Sequence, residues 1–224
     1  MLHYGFGFAG AFLQSSAENV GITHEGTLDR FLGIHFERSQ DRWSWSATMG
    51  TYIDKIVKRF GLEDSRKFAT PMEPGFVLTE EDFKEEPSES IISEMRSLIG
   101  SIGYCATAVR FDISHAVSVL SQHLARPCNK VIEAAKRIIK YLAGTRDFAI
   151  TWMSSALEEE QGCDNVIIGA VDTSFAMDAM MQKSHGGFIN FVNNGAVSCK
   201  SGLQSIGTLS SCVAEYVALC SEVC

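Results

Sequence analysis

Between Ser93 and Ala143 apolar residues recur at helical spacing three times in succession, and this pattern restricts the fold more than any other feature of the chain. Met95, Leu98, Ile99, Ile102 and Ala106 make the first stripe; Ile113, Ala116, Val117, Leu120 and Leu124 the second; Ala134, Ala135, Ile138, Ile139 and Leu142 the third. Each stripe covers one face of a 3.6-residue helix, so the spacing predicts helices over Ser93–Val109, Ile113–Ala125 and Val131–Ala143, with the stripes forming core. Asp112 stands where an N-cap belongs, Pro127 ends the second helix and Gly144 closes the third. Gly100 and Gly103 weaken the first helix by about 1 kcal/mol each relative to alanine. Close packing against a neighbour would explain both.

On the N-terminal side, Leu32, Ile34 and Phe36 share one parity and His35 and Glu37 the other, which predicts a strand over Phe31–Arg38. Trp43 and Trp45 alternate with Ser44 and Ser46, and Ser39–Arg42 supplies a polar turn, so the two runs read as a hairpin. Ile53, Ile56, Val57 and Phe60 then mark a helix over Thr51–Phe60 with Gly61 just beyond it. Residues 66–90 read as a linker: Pro71, Pro74 and Gly75 are followed by the acidic run Glu80, Glu81, Asp82, Glu85, Glu86 and Glu89, which repels phosphate.

On the C-terminal side, Phe148–Trp152 reads as a short strand and Ser154–Asp164 as a polar loop. The apolar run Val166, Ile167 and Ile168 leads into Asp172, as a strand delivers a carboxylate to a sheet edge. Gly187–Val192 and Gly195–Ser198 are joined by Asn193-Asn194-Gly195, and Asn-Gly is a strong hairpin signal because both residues tolerate positive φ. Ser210-Ser211 opens a helix on which Ala214, Val217, Ala218 and Ser221 follow helical spacing.

A chain of 224 residues, 46% hydrophobic, can bury one core or two small ones. Its formal net charge of -8 argues against strong autonomous binding of nucleic acid, which needs a basic face. Two local basic groups stand against that background: Lys55, Lys58 and Arg59, and Lys136, Arg137 and Lys140. For the first of these, a charged, solvated helix face is the preferred reading. The seven cysteines (105, 128, 163, 199, 212, 220 and 224) include no CxxC pair and no zinc spacing, and read as thiols in a reducing compartment. No run approaches the ~20 apolar residues of a membrane span. The N-terminal apolar stretch lacks the Lys or Arg that precedes a signal segment, the first such residue being Arg30. An intracellular protein, in cytoplasm or nucleus, is expected, and residues 1–23 match nothing.

The segments GAVDTSFAMD, KSHGGFI, GAVSCKS and LSSCVAEYVAL resemble, in order, the SDADWAGD-like, STSGY-like, ISWKSKKQ-like and LSSTEAEYIAL-like stretches of the ribonuclease H segment in copia-type LTR-retrotransposon Pol polyproteins. Upstream, FLGIHFER, TPMEPG, RSLIGSIGY, RFDISHAVSVLS and AAKRIIKYLAGT also fall in that family's order. The resemblance covers roughly residues 24 to 224. It implies an α+β fold with a β-hairpin, a helical thumb/connection-like middle and a truncated ribonuclease H-like three-stranded antiparallel sheet plus helix. The implied layout is the end of a reverse-transcriptase palm, with a primer-grip-like hairpin, and the first thumb helix over 1–65. The linker at 66–90, the helical thumb/connection region at 91–150 and the ribonuclease H-like part at 151–224 follow. RNA–DNA hybrid or DNA would be the partner, contacted by Lys55, Lys58, Arg59, Lys136, Arg137 and Lys140, and no membrane is implied.

Ribonuclease H chemistry is two-metal phosphodiester hydrolysis, with Mg²⁺ ions roughly 4 Å apart held by several converging carboxylates. Asp172 matches the family's first catalytic, metal-binding aspartate. The family's glutamate on the first helix falls at Val213, and Glu215, about 200° further round the helix, should face elsewhere. The family's third aspartate comes after this helix, past Cys224. Phe111 stands where the family has proline, and Val131-Ile132 where it has His-Trp. The implied Mg²⁺ site is therefore incomplete. Three readings remain: a Pol fragment without catalysis, a nuclease with a rearranged site built from Asp172, Asp178 and Glu215, and a module co-opted for binding nucleic acid or protein.

Overall fold

A computed structural model describes residues 28–40, 43–153, 166–174, 183–204, 206–207 and 210–223. The fold is α+β, as the sequence predicts. Strands β1 (Arg30–Phe31), β2 (Ile34–Arg38), β3 (Ser44–Thr48) and β4 (Ile150–Met153) form one antiparallel sheet in that order. Between β3 and β4 run helices α1 (Gly50–Arg59), α2 (Glu89–Ala108), α3 (Ser114–Ser121) and α4 (Asn129–Gly144). Strands β5 (Ile168–Ser174), β6 (His185–Val192) and β7 (Gly195–Leu203) make a second antiparallel sheet, followed by helix α5 (Ser211–Val223).

The three stripes form the core. Leu98, Ile102, Leu120, Ile138, Ile139 and Leu142 are completely buried, together with Ile53 of α1 and Met95. Each such side chain contributes about 1.5–3 kcal/mol through burial. Ala47 and Met49 extend the same cluster to the end of β3, so the N-terminal sheet and the helices share one core. Of the linker expected at 66–90, residues 66–88 hold no regular element beyond a 3₁₀ turn at Glu80–Phe83, and α2 already starts at Glu89. Residues 66–88 lie against the helices through Met72, Phe76 and Leu78. The Thr79 amide donates to Asp82 at 2.8 Å, and Lys130 of α4 reaches the same carboxylate at 3.3 Å.

Several local expectations are corrected. The strand expected over Phe31–Arg38 is broken by a tight turn in which Leu32 has φ 51° and Gly33 φ 84°, so Phe31 pairs back onto Ile34. Positive φ at both central residues gives the turn whose twist matches a hairpin, and it puts Leu32 at an exposed tip. The C-terminal turn also sits one residue earlier than Asn-Gly predicts. Asn193 and Asn194 carry the positive φ values, 50° and 62°, and Gly195 opens β7. Gly195 is required for a different reason: a Cβ there would overlap the ring of Trp152 on β4.

The glycines of α2 do not mark close packing. A Cβ on Gly100 or Gly103 would meet nothing within 4 Å. Asp112 does not cap α3, which starts at Ser114 after a 3₁₀ turn at Phe111–Ile113 and has no side-chain cap. Its carboxylate is taken instead by Arg110, at 2.9 and 2.6 Å, and by the Tyr141 hydroxyl at 2.7 Å. A buried guanidinium draws the nearest carboxylate away from free backbone amides because its own desolvation is the larger cost. The helix also ends at Ser121, short of Ala125, although Leu124 still packs on the core. The turn residues Asp41 and Arg42 and the polar loop at 154–164 lie outside the described residues, as do residues 1–27. No helix among the described residues is long and apolar enough to cross a membrane.

Candidate functional site

Asp172 stands five residues into β5, exposed, opposite Gly187 of β6, which in turn pairs with Ser201 of β7. Its Oδ1 accepts from the amide of Thr173 at 2.9 Å. Side chains alternate across a sheet, and directly paired residues point the same way. Asp172 therefore shares a face with His185, Cys199 and Ser201. The opposite face is the one that α5 covers. Ala214 and Ala218 are its buried residues, and a Cβ on Gly186 would touch that of Ala218 at 3.5 Å. Gln204 ties the helix down by donating to the Ala214 carbonyl at 2.8 Å.

Val213, at the position where the resemblance puts a glutamate, is 47% exposed on α5. Glu215 is exposed on the same helix. Both belong to the helix on the far face of the sheet from Asp172. Asp178 lies outside the described residues. Among the described residues no three His, Cys, Asp or Glu side chains converge closely enough to hold a metal ion. The residues described here thus do not fit a pair of Mg²⁺ ions, which demand several oxygen ligands from converging carboxylates.

The Asp172 side chain opens onto a cavity of about 470 Å³ between the sheet and the start of α3. Ser114 and His115 of α3 form its far wall, and His185 and Ser201 part of its floor. The sequence motifs single out Asp172 but none of these partners. The only signal for them is an imidazole on each side, His115 on the helix and His185 at the first position of β6. Cys199, half-buried beside the Ser114 hydroxyl, has its thiol pushed up by burial. Cys105, deep in the core, is pushed up to about 12 by the same cause. Among the described residues Cys105, Cys128, Cys199, Cys212 and Cys220 are free thiols.

The two basic groups differ. Lys55, Lys58 and Arg59 are exposed on α1, and Arg59 donates to Ser97 at 2.9 Å. Lys136 is engaged by Glu94 at 3.0 Å and Glu133 at 3.5 Å, and its hydrogen bond to Glu94 holds its ammonium above the ordinary lysine value. Arg137 lies over the Phe68 ring, 4.1 Å from its centroid, and donates to Thr70. Lys140 is half-buried. The α4 group is therefore largely spent inside the molecule, and the α1 group is the one left facing solvent.

No protein-family model matches the chain, and neither does any solved structure. Curated proteins do. The Retrovirus-related Pol polyprotein from transposon TNT 1-94 of Nicotiana tabacum is 29% identical over 196 residues, covering 86% of this chain and 14% of that protein. The Transposon TyH3 Gag-Pol polyprotein of Saccharomyces cerevisiae is 27% identical over 209 residues, covering 92% of this chain and 12% of that protein. The Transposon Ty1-DR5 Gag-Pol polyprotein of the same yeast matches to the same extent. The matches cover 86% to 92% of this chain and take in about an eighth of each relative's length. The chain is a relative of the copia/Ty1-type retrotransposon Pol polyproteins.

Proposed function

We propose that residues 28–153 correspond to the end of the palm, the thumb and the connection of a Pol reverse transcriptase, that residues 166–223 correspond to the opening strands and first helix of its ribonuclease H part, and that this chain does not itself cleave nucleic acid. The observation that carries the last point is the placement of α5. Its residue at the family's glutamate position is Val213, and the helix packs on the sheet face that Asp172 turns away from. One exposed carboxylate supplies at most two oxygens, and a loosely held ion misplaced by 1 Å loses about 10²-fold in rate. The exposed Lys55, Lys58 and Arg59 favour residual contact with an RNA–DNA hybrid or DNA, weak and salt-dependent because the chain as a whole is acidic. The free thiols suit a reducing, intracellular setting.

The test is cleavage of the RNA strand of a hybrid with Mg²⁺ or Mn²⁺, by wild type, Asp172→Asn and Val213→Glu. No cleavage is expected from any of the three, since Val213→Glu adds its carboxylate to the wrong face. Metal-dependent cleavage by wild type that disappears in Asp172→Asn would overturn the proposal and establish a nuclease.

A further inference from the structure

Helix α5 buries one side and leaves an apolar side bare. Ala214 and Ala218 are its buried residues, against the sheet. On the outward side Tyr216 is 69% exposed, Leu219 50% and Val213 47%, and Cys212 and Cys220 are exposed with them. Residues three and four apart are neighbours on a helix, so these five side chains form one stripe. Among the described side chains of α5, Glu215 is the only charged one. At roughly 150–250 Å² for a large side chain, the stripe offers on the order of 400 Å² of apolar surface, as large as such patches ordinarily become on a monomer.

The stripe is matched to itself. About Tyr216 the sequence runs alike in both directions, with alanine two residues away (Ala214 and Ala218) and a branched aliphatic three away (Val213 and Leu219). Cysteine follows four away (Cys212 and Cys220) and serine five away (Ser211 and Ser221). In a twofold pair, residue i of one copy meets residue j of the other while j meets i. Two such helices laid antiparallel about Tyr216 therefore set side chains of like size and polarity opposite each other along the whole stripe.

We propose that α5 is the contact of a weak twofold dimer, in which two copies of this chain pack these helices antiparallel about Tyr216. Val213 then faces Leu219 of the partner subunit, and Cys212 faces Cys220 of the partner subunit. Cys212, Tyr216 and Cys220 form a ridge of four-residue spacing, the kind that interdigitates with its like in the commonest class of helix packing. The antiparallel sense also sets the two helix dipoles against each other, where a parallel pair would align like ends. A second copy suits this face better than a charged partner, because the stripe offers no charge to read. The area sets the strength. Roughly 800 Å² buried in total lies below the 1,200–2,000 Å² of stable complexes, so the dissociation constant is on the order of 10⁻⁴ M. The pairing uses neither Asp172 nor its cavity, and it stands whether or not the chain contacts nucleic acid.

The experiment is sedimentation equilibrium of the full chain with reductant present, from about 10 μM to about 500 μM, a range that brackets the expected constant. The mean mass of wild type should rise with concentration towards that of a dimer. Tyr216→Glu, Val213→Lys and Leu219→Glu should each weaken association at least tenfold, with the far-UV circular dichroism of wild type retained because all three positions are exposed. Val213→Lys combined with Leu219→Glu places opposite charges across the antiparallel pair and should recover association relative to either single change. A wild type that stays monomeric over the whole range, leaving the stripe to some other occupant, would overturn the dimer. So would association untouched by the three single changes. A double variant no better than the singles would overturn the antiparallel arrangement.

Discussion

Replacing Asp112 by asparagine changes almost no volume and removes the counter-charge of the most buried cation in the described chain. Arg110 is 2% exposed. Its Nε and Nη2 donate to the Asp112 carboxylate at 2.9 and 2.6 Å, and its Nη1 and Nη2 to the Thr145 carbonyl and hydroxyl at 2.9 and 2.6 Å. The rings of Tyr141 and Phe148 enclose it, with centroids 5.4 and 5.3 Å away. Breaking a fully buried pair by removing one partner costs about 3–5 kcal/mol. The Asp112 side chain is 35% exposed. Solvent screening and the surviving bonds to Thr145 reduce the figure to about 2 kcal/mol, or a Tm lower by about 4–8 °C for a chain of this size. Urea unfolding followed by tryptophan fluorescence and far-UV circular dichroism measures it. Burial raises the Asp112 carboxyl, but the bonds from Arg110 and Tyr141 and the guanidinium charge outweigh it, and the net position lies below the ordinary value. The pair's contribution is therefore present above about pH 4 and lost as pH falls through the lowered value, so the two unfolding curves should converge in acid. A loss below about 0.5 kcal/mol at pH 7, the range of an ordinary surface change, would refute the claim that Arg110 depends on this carboxylate.

Two glycine substitutions should move stability in opposite directions. Gly195→Ala forces a methyl into the Trp152 ring and should cost about 1–3 kcal/mol, with a changed Trp152 emission in the folded state. Gly100→Ala, in the interior of α2 with open space around it, should stabilise by about 0.5–1 kcal/mol in the same urea assay.

The helical core was legible because its signal is local. Ala135, Ile138, Ile139 and Leu142 follow one another at the helix period, and all four are completely buried. Turn register was not. Asn193, Asn194 and Gly195 all tolerate positive φ, so the sequence offers two turns, and the choice is made by Trp152 from the other sheet. Asp112 was misplaced for a related reason. The same residue type serves as helix cap or as ion-pair partner, and what decides is Arg110 being locked to Thr145, a contact distant in sequence. At the candidate site, the apolar run Val166–Ile168 leading into β5 and the motif order found Asp172. The cavity it opens on was invisible, because His115 and His185 come from separate elements and neither spacing nor motif links them. Likewise, the motif places Val213 at the position of a metal ligand, but only the sheet pairing shows which face its helix covers.

The pairing of β3 with β4 sets a timetable for the growing chain. Trp45 pairs with Trp152, and Ser44 with Met153, so about a hundred residues must be made after β3 before its second edge can be covered. At a synthesis rate of 5–20 residues per second that interval is roughly 5–20 s. Throughout it the β2–β3 hairpin presents an unpaired edge with exposed Trp43 at its end, the kind of edge that captures strands from other chains. The helices of the core close locally within that time, since their contacts lie near in sequence. The nascent chain therefore passes through a stage with a formed helical core and an open sheet. A halt in synthesis between Gly144 and Ile150 leaves it there, with the hairpin edge available to strands from other chains.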